Sequence, residues 1–167
     1  IVALKVGASD QAQAATISHT ASLAGSDAGA AALLKRLGIA RVGGLPELLE
    51  TLKLLHCNGP LGGRNIASIS CSGGEASLIA DMAMGSGLSF PSLTVAQKEQ
   101  LRMALGPMVA LSNPLDYHTY IWRDSDAMAR AWAGMTGTDI DMTFSIVDYP
   151  ATNPTDWICA TAAALKV

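Results

Sequence analysis

The chain has 167 residues, half of them hydrophobic and only 15% charged, with a formal net charge of −3. That length allows one domain of ordinary size, or one domain plus part of another. The mild acidity and the lack of a basic stripe exclude nucleic acid as the expected partner, and no apolar run approaches the roughly 18 residues needed to span a bilayer. No signal-peptide pattern opens the chain. The three cysteines, far apart in sequence, do not read as a disulfide framework and fit a reducing cytoplasm.

Residues 1–6 (IVALKV) read as a buried strand that ends at Gly7. With no Met and no lead-in, this start reads as a piece of a longer polypeptide. Residues 8–26 form a polar, Ala/Ser-rich loop that contains His19 and is partly helical at Gln11–Ala15. Ser26 or Asp27 can cap a helix that runs to Leu37, with Gly38 as its stop. Ile39–Val42 is a short strand. Pro46 suits a first helical turn, and Leu45, Leu48, Leu49, Leu52 and Leu55 follow at helical spacing. Asn58-Gly59-Pro60 and Gly62-Gly63 then mark a linker, so the expected domains are 1–57 and 64–167, joined by 58–63.

The second run repeats the alternation. Asn65–Ser70 is a strand, and Gly73-Gly74 opens a helix that ends at Gly85 and Gly87. Leu88–Phe90 and Val109–Leu111 are short strand candidates, the latter leaving the sheet at Asn113-Pro114. Thr94 with Gln97 forms a capping box for a helix to about Leu105. Asp124-Ser125 opens a helix through Trp132, Met142–Val147 is a strand, and Thr155 starts a final helix. Strands that alternate with helices predict an α/β fold with a doubly wound, mostly parallel sheet.

His19 is the first candidate for chemistry. A lone histidine in a polar loop is most often a surface residue. Its Ser, Thr, Ala and Gly neighbours, however, suit a tight loop around an anion, and a neutral imidazole can act as a nucleophile. Ser70-Cys71-Ser72-Gly73-Gly74-Glu75 is the second. A strand–Gly-Gly–helix turn presents backbone N–H groups and the positive end of a helix dipole to an anion, although many such turns are merely tight. Glu75 would repel a phosphate if it pointed inward. A thiol at a helix start permits a rival cysteine-nucleophile reading for Cys71, while a buried, inert strand-end Cys is the commoner case.

Other residues say less. His56-Cys57 point to different helix faces, and no zinc spacing exists, so no metal site is expected. His118, Tyr120 and Trp122 form an aromatic loop that reads as packing, or as a pocket wall. Asp139 and Asp141 read as solvated turn residues. Asp148 lies at the sheet's carboxyl edge, where ligands bind in such folds.

The run Ile1–Gly7, Ser18-His19-Thr20, Leu23-Ala24-Gly25-Ser26-Asp27, Gly38–Val42 and Leu45-Pro46-Glu47-Leu48-Leu49 resembles, in order and spacing, the NDP-forming acyl-CoA synthetases, the superfamily of succinyl-CoA synthetase. Asn113-Pro114-Leu115-Asp116 resembles a turn of the same family. Ala21 stands where many relatives have Gly, a small departure. The resemblance implies that residues 1–57 are the end of the phosphohistidine-bearing domain and 64–167 a flavodoxin-like CoA-ligase domain. It implies that His19 carries phosphate and that Ser72, Gly73 and Gly74 supply one of two helix N-termini flanking it. It also implies CoA and ATP or ADP with Mg as cofactors of the complete enzyme, an acyl substrate, and CoA-binding and ATP-grasp domains as partners within an oligomer. The isolated chain is expected to bind none of these cofactors by itself and to be inactive. The alternative is a non-catalytic CoA-sensing or oligomerisation module.

Overall fold

Five short strands, every pair of them parallel, alternate with seven helices in the computed structural model, which describes residues 1–20, 25–148 and 154–166, and only the backbone of 18–20. The fold is α/β with parallel sheets, as the alternation predicts. The chain divides into two compact units, Ile1–Pro60 and Leu61–Val167.

In the first unit, β1 (Val2–Leu4) pairs in parallel with β2 (Ala40–Val42), and α1 (Asp10–Thr20), α2 (Asp27–Arg36) and α3 (Leu45–Cys57) complete it. Ser26 caps α2 by accepting from the Gly29 N–H, and Gly38 stops it in the left-handed region at φ 65°. Pro46 sits in the first turn of α3, where its missing N–H costs nothing. Among the described residues of this unit only Gly7 is buried. Leu45, Leu49 and Leu52 of α3 remain exposed.

The second unit is built around β3 (Ile66–Ser70), buried at all five positions and flanked in parallel by β4 (Leu115–Asp116) and β5 (Met142–Ser145). Side chains alternate across a strand. Ala67 and Ile69 face a core that includes Leu101, Leu105, Leu115, Tyr117, Met128, Trp132 and Met135. That core is closed by α5 (Val95–Leu105), α6 (Ser125–Gly134) and α7 (Thr155–Ala164), which contribute Leu101, Met128 and Trp157 respectively. Ile66 faces the other way, toward α4 (Gly73–Ala83), and with Ile79 and Phe144 lines an apolar cleft of about 360 Å³. Helices therefore cover both faces of the sheet, the doubly wound arrangement. The Thr94–Gln97 capping box is formed at α5, and Asp124 caps α6. Among the described residues no helix is long and apolar enough to cross a membrane.

Three expectations are corrected. Residues 109–111 are not a strand. Val109 is apolar because it is buried, 2% exposed, in the core, and the sheet neighbour in this region is β4. Asn113-Pro114 thus precedes a strand rather than leaving one, and its peptide bond is cis. Leu88–Phe90 contributes a single bridge, Asn65 with Ser89. The helix expected over Gln11–Ala15 runs on through His19 to Thr20, so the backbone of His19 lies in the last turn of α1 rather than in a loop. Residues 21–24 of the His19 motif, and the side chains of 18–20, lie outside the described residues.

Candidate functional site

The best-defined candidate site lies where β3 hands over to α4. Ser70 ends the strand with its hydroxyl donating to the Ser72 carbonyl at 3.2 Å. Ser72 then caps α4, its side chain accepting from the Gly74 N–H at 3.2 Å, while its carbonyl takes the Ala76 N–H at 3.0 Å. The Ser77 hydroxyl donates to the Gly73 carbonyl at 2.8 Å. Extended backbone at Ser72 followed by two residues without side chains brings the helix start into the open, and both Gly73 and Gly74 are exposed. A Cβ on Gly73 would meet Asp116 Oδ2 at 3.4 Å. Asp116, at the end of β4, therefore stands beside the first turn of α4, its other carboxylate oxygen accepting from the His118 N–H at 2.9 Å.

The electrostatics of this corner are acidic. Burial, then the charges of Asp148 and Asp116, push the Glu75 carboxyl above its ordinary range, and the Cys71 backbone N–H pulls weakly the other way. Glu75 Oε2 is shielded from solvent and has no hydrogen-bond partner among the described residues, which disfavours the ionised form. Glu75 also helps to wall the apolar cleft under α4. Burial is also the largest influence on the Cys71 thiol, pushing its pKa up, with Glu75 and Asp148 adding to the rise. A nucleophilic cysteine needs the opposite shift, so the environment opposes the cysteine reading. Although three carboxylates converge on this corner, no group of three His, Cys, Asp or Glu side chains among the described residues could hold a metal ion.

The remaining sequence candidates have structural work. The Asn113 side chain bridges three backbone positions, accepting from the Ser68 N–H at 3.2 Å and donating to the carbonyls of Ile66 at 2.9 Å and Pro91 at 3.1 Å. Asp141 accepts from the Asn65 N–H at 2.8 Å. His118 stacks on Tyr120, with ring centroids 5.4 Å apart. Trp122 donates through its indole N–H to the Tyr117 hydroxyl at 3.1 Å, and Trp157 reaches the same oxygen at 3.3 Å. Sequence reasoning missed Tyr117, which is buried and receives both indoles. Nothing local in the sequence sets it apart from its aromatic neighbours.

In the first unit, Arg41 grips Asp27 with both guanidinium branches, Nη2 to Oδ1 at 2.6 Å and Nη1 to Oδ2 at 3.1 Å. Lys5 lies 3.6 Å from the same carboxylate and donates to the Gly25 carbonyl at 3.5 Å. The Arg41 hydrogen bond, foremost among the influences, holds the Asp27 carboxyl below its usual range.

Comparison with known proteins places the chain. The profile described as the succinyl-CoA ligase like flavodoxin domain matches residues 1–55. The chain is 35% identical over 116 residues to the alpha subunit of acetate–CoA ligase [ADP-forming] II of Pyrococcus furiosus, a match that covers 70% of this chain and 25% of that subunit. It is 33% identical over 116 residues to acetate–CoA ligase [ADP-forming] of Methanocaldococcus jannaschii, covering 70% of this chain and 16% of that protein. The chain thus spans a quarter or less of the curated relatives it matches. Its fold is similar to that of the dinucleotide forming acetyl-coenzyme A synthetase 1 of Ca. Korarchaeum cryptofilum, solved in complex with phosphate and ADP, at 20% identity and a TM-score of 0.86, covering 99% of this chain and 36% of that one. Residues 1–55 are thus similar to the succinyl-CoA ligase like flavodoxin domain, and the chain is similar in sequence to part of two ADP-forming acetate–CoA ligases.

Proposed function

We propose that this chain is part of an NDP-forming acyl-CoA synthetase, which interconverts acyl-CoA, phosphate and NDP with the free acid, CoA and NTP. The observation that carries the reading is the sequence relationship to two ADP-forming acetate–CoA ligases, together with the run Ser18-His19-Thr20 to Gly25-Ser26-Asp27 inside the matched 1–55 region.

The chemistry proposed has three displacements. A phosphate oxygen attacks the thioester carbonyl, and CoA leaves as its thiolate, giving an acyl phosphate. An imidazole nitrogen of His19 attacks the phosphorus, and the carboxylate of the free acid leaves. A terminal oxygen of NDP then attacks the same phosphorus, releasing a neutral imidazole and NTP. His19 splits one difficult transfer into two easier ones. The α4 start at Ser72-Gly73-Gly74 supplies backbone dipoles suited to an anion. The upward push on the Glu75 carboxyl, with burial its first cause, lessens the opposition that this residue offers to an anion there.

CoA and nucleotide would be bound mainly by CoA-binding and ATP-grasp domains beyond this chain, on the same or another polypeptide of a cytoplasmic oligomer. Phosphate and ADP in the Korarchaeum structure support that substrate set. The 167-residue chain alone should then form no NTP from acyl-CoA, phosphate and ADP. In the assembled enzyme, radioactive ATP should label His19 through an acid-labile, base-stable bond. His19→Ala should abolish the label and slow turnover by about 1,000-fold or more, because a covalent carrier has no substitute. Near-normal turnover in that variant removes the assignment.

A further inference from the structure

We propose that the apolar cleft between α4 and the sheet binds a small organic cation, an ammonium group on a compact apolar body, with Glu75 at the end that receives the charge. All the residues that line it lie in the second unit, so the site stands or falls without His19.

The alternation of side chains along the strands makes the cleft. Ala67 and Ile69 turn to the core that α5, α6 and α7 close, so Ile66 turns the other way, and Phe144 and Ile146 share its face. α4 runs over that face without sealing it. None of its residues is buried, and Leu78 and Met82, one turn apart, are 59% and 74% exposed. The space left between helix and sheet is about 360 Å³, within the roughly 300–1,000 Å³ of small-molecule pockets. Glu75 and Met82 both line it, and at 1.5 Å of rise per residue they lie about 10 Å apart along α4. A single ring with a short arm matches that length.

Glu75 is the one ionisable residue in this lining, and its Oε2 has no hydrogen-bond partner among the described residues. Burial first, then the charges of Asp148 and Asp116, push its carboxyl up. None of the ion pairs among the described residues includes Glu75, Asp116 or Asp148. The positive end of the α4 dipole offsets only about half a charge, which the two aspartates outweigh. The Arg64 guanidinium lies beside Gly87, next to Leu88 at the other end of the cleft. The cleft thus has an apolar body and one acidic end. An organic anion would meet like charge there, and a neutral hydrocarbon would leave the carboxyl without a partner. An ammonium group supplies the missing countercharge, in a partly enclosed place where the attraction is stronger than in water. Its apolar body would cover Ile66, Ile79 and Phe144, which α4 leaves open.

The test is methyl NMR on the 167-residue chain with phenethylammonium, phenethyl alcohol and phenylacetate, probes of similar shape and different charge. The ammonium probe should shift the methyl signals of Ile66, Ile79 and Met82 saturably. It should bind about 5-fold tighter than the alcohol, the scale of a partly exposed charge pair, and phenylacetate should leave those signals unmoved. In Glu75→Gln the ammonium and the alcohol should bind within about twofold of each other. Ala83→Leu puts bulk into the cleft with a residue that favours helix, and should abolish binding of both. Methyl signals of Ile69 and Leu101, in the core on the other face of the sheet, report whether each variant keeps its fold. Should Ala83→Leu lose that core, the comparison of wild type with Glu75→Gln still decides. Absence of saturable shifts, shifts confined to other residues, or equal binding of ammonium and alcohol to wild type overturns the proposal. So does an ammonium preference that survives in Glu75→Gln. If the Met82 signal instead broadens with protein concentration and Met82→Lys abolishes the association, the cleft is an interface between copies and the proposal falls.

Discussion

The side chain of Asn113 stands in for a missing stretch of strand beside Ser68. On this flank of β3, Ser89 pairs at the beginning, with its carbonyl accepting from the Ile66 N–H at 2.8 Å, and β4 pairs at the end, with Ile69 opposite Leu115. Between them the flank is served by Asn113, whose Oδ1 accepts from the Ser68 N–H and whose Nδ2 donates to the Ile66 carbonyl. Both strand residues are almost wholly buried, at 0% and 2% exposure, so their backbone groups have no recourse to water.

Asn113→Ala should therefore destabilise the chain by about 2–4 kcal/mol, the cost of stranding buried backbone groups. Asn113→Asp keeps the acceptor for Ser68 but turns negative charge toward the Ile66 and Pro91 carbonyls, and should be at least as damaging at neutral pH. Denaturant unfolding monitored through the tryptophans reads both. A loss under about 0.5 kcal/mol for Asn113→Ala, the scale of a neutral surface change, would show that this amide contributes nothing to the sheet.

Such an arrangement could not be read in the sequence. Asn113-Pro114 was legible as a turn, but the amide's partners lie at 66, 68 and 91, and only the tertiary fold brings them together. The elements that were legible carry their own local chemistry. Thr94 with Gln97 announces α5, Asp124 announces α6, and Pro46 with the leucines after it announces α3. Residues 109–111 misled because burial in an irregular segment leaves the same apolar trace as a strand. The His19 helix misled in the opposite way. Asp10–Thr20 has no apolar stripe, so no 3.6-residue period marks its length. At the β3–α4 corner, Gly73-Gly74 was visible as a helix start, whereas Asp116 and Asp148 beside Glu75 come from other parts of the sheet edge.

Glu75 offers a pH-dependent test of that corner. Its carboxyl is raised by burial first and by Asp148 and Asp116 next. A raised acid binds its proton more tightly in the folded chain than in the unfolded one. Stability must therefore fall as pH rises from the unfolded value, near 4.5, through the higher folded value, and stay lowered above it. Glu75→Gln removes that penalty. The variant should melt at a higher temperature than wild type at pH 7, and the advantage should vanish below about pH 4.5. A variant with equal or lower Tm at neutral pH, or an advantage that persists in acid, would show that the charge of Glu75 is not what strains this corner.

Gly73 tests whether the same corner binds an anion. It is the first residue of α4, and an added Cβ would stand 3.4 Å from Asp116 Oδ2. A methyl group fits at that distance, whereas the two γ-methyls of valine add bulk at the exposed helix start beside Asp116. Gly73→Ala should accordingly stay close to wild type. Gly73→Val should slow phosphorylation of His19 by about 10-fold or more in the assembled enzyme, because backbone dipoles aimed at a phosphoryl group act only at contact distance. CoA affinity should be unchanged, since no part of the proposed CoA site lies at this turn. Rapid-quench labelling gives the rate, and the thermal transition of each variant separates lost function from lost fold. Should a well-folded Gly73→Val enzyme phosphorylate His19 at the normal rate, the Ser72-Gly73-Gly74 turn shapes the β3–α4 connection and binds no phosphate.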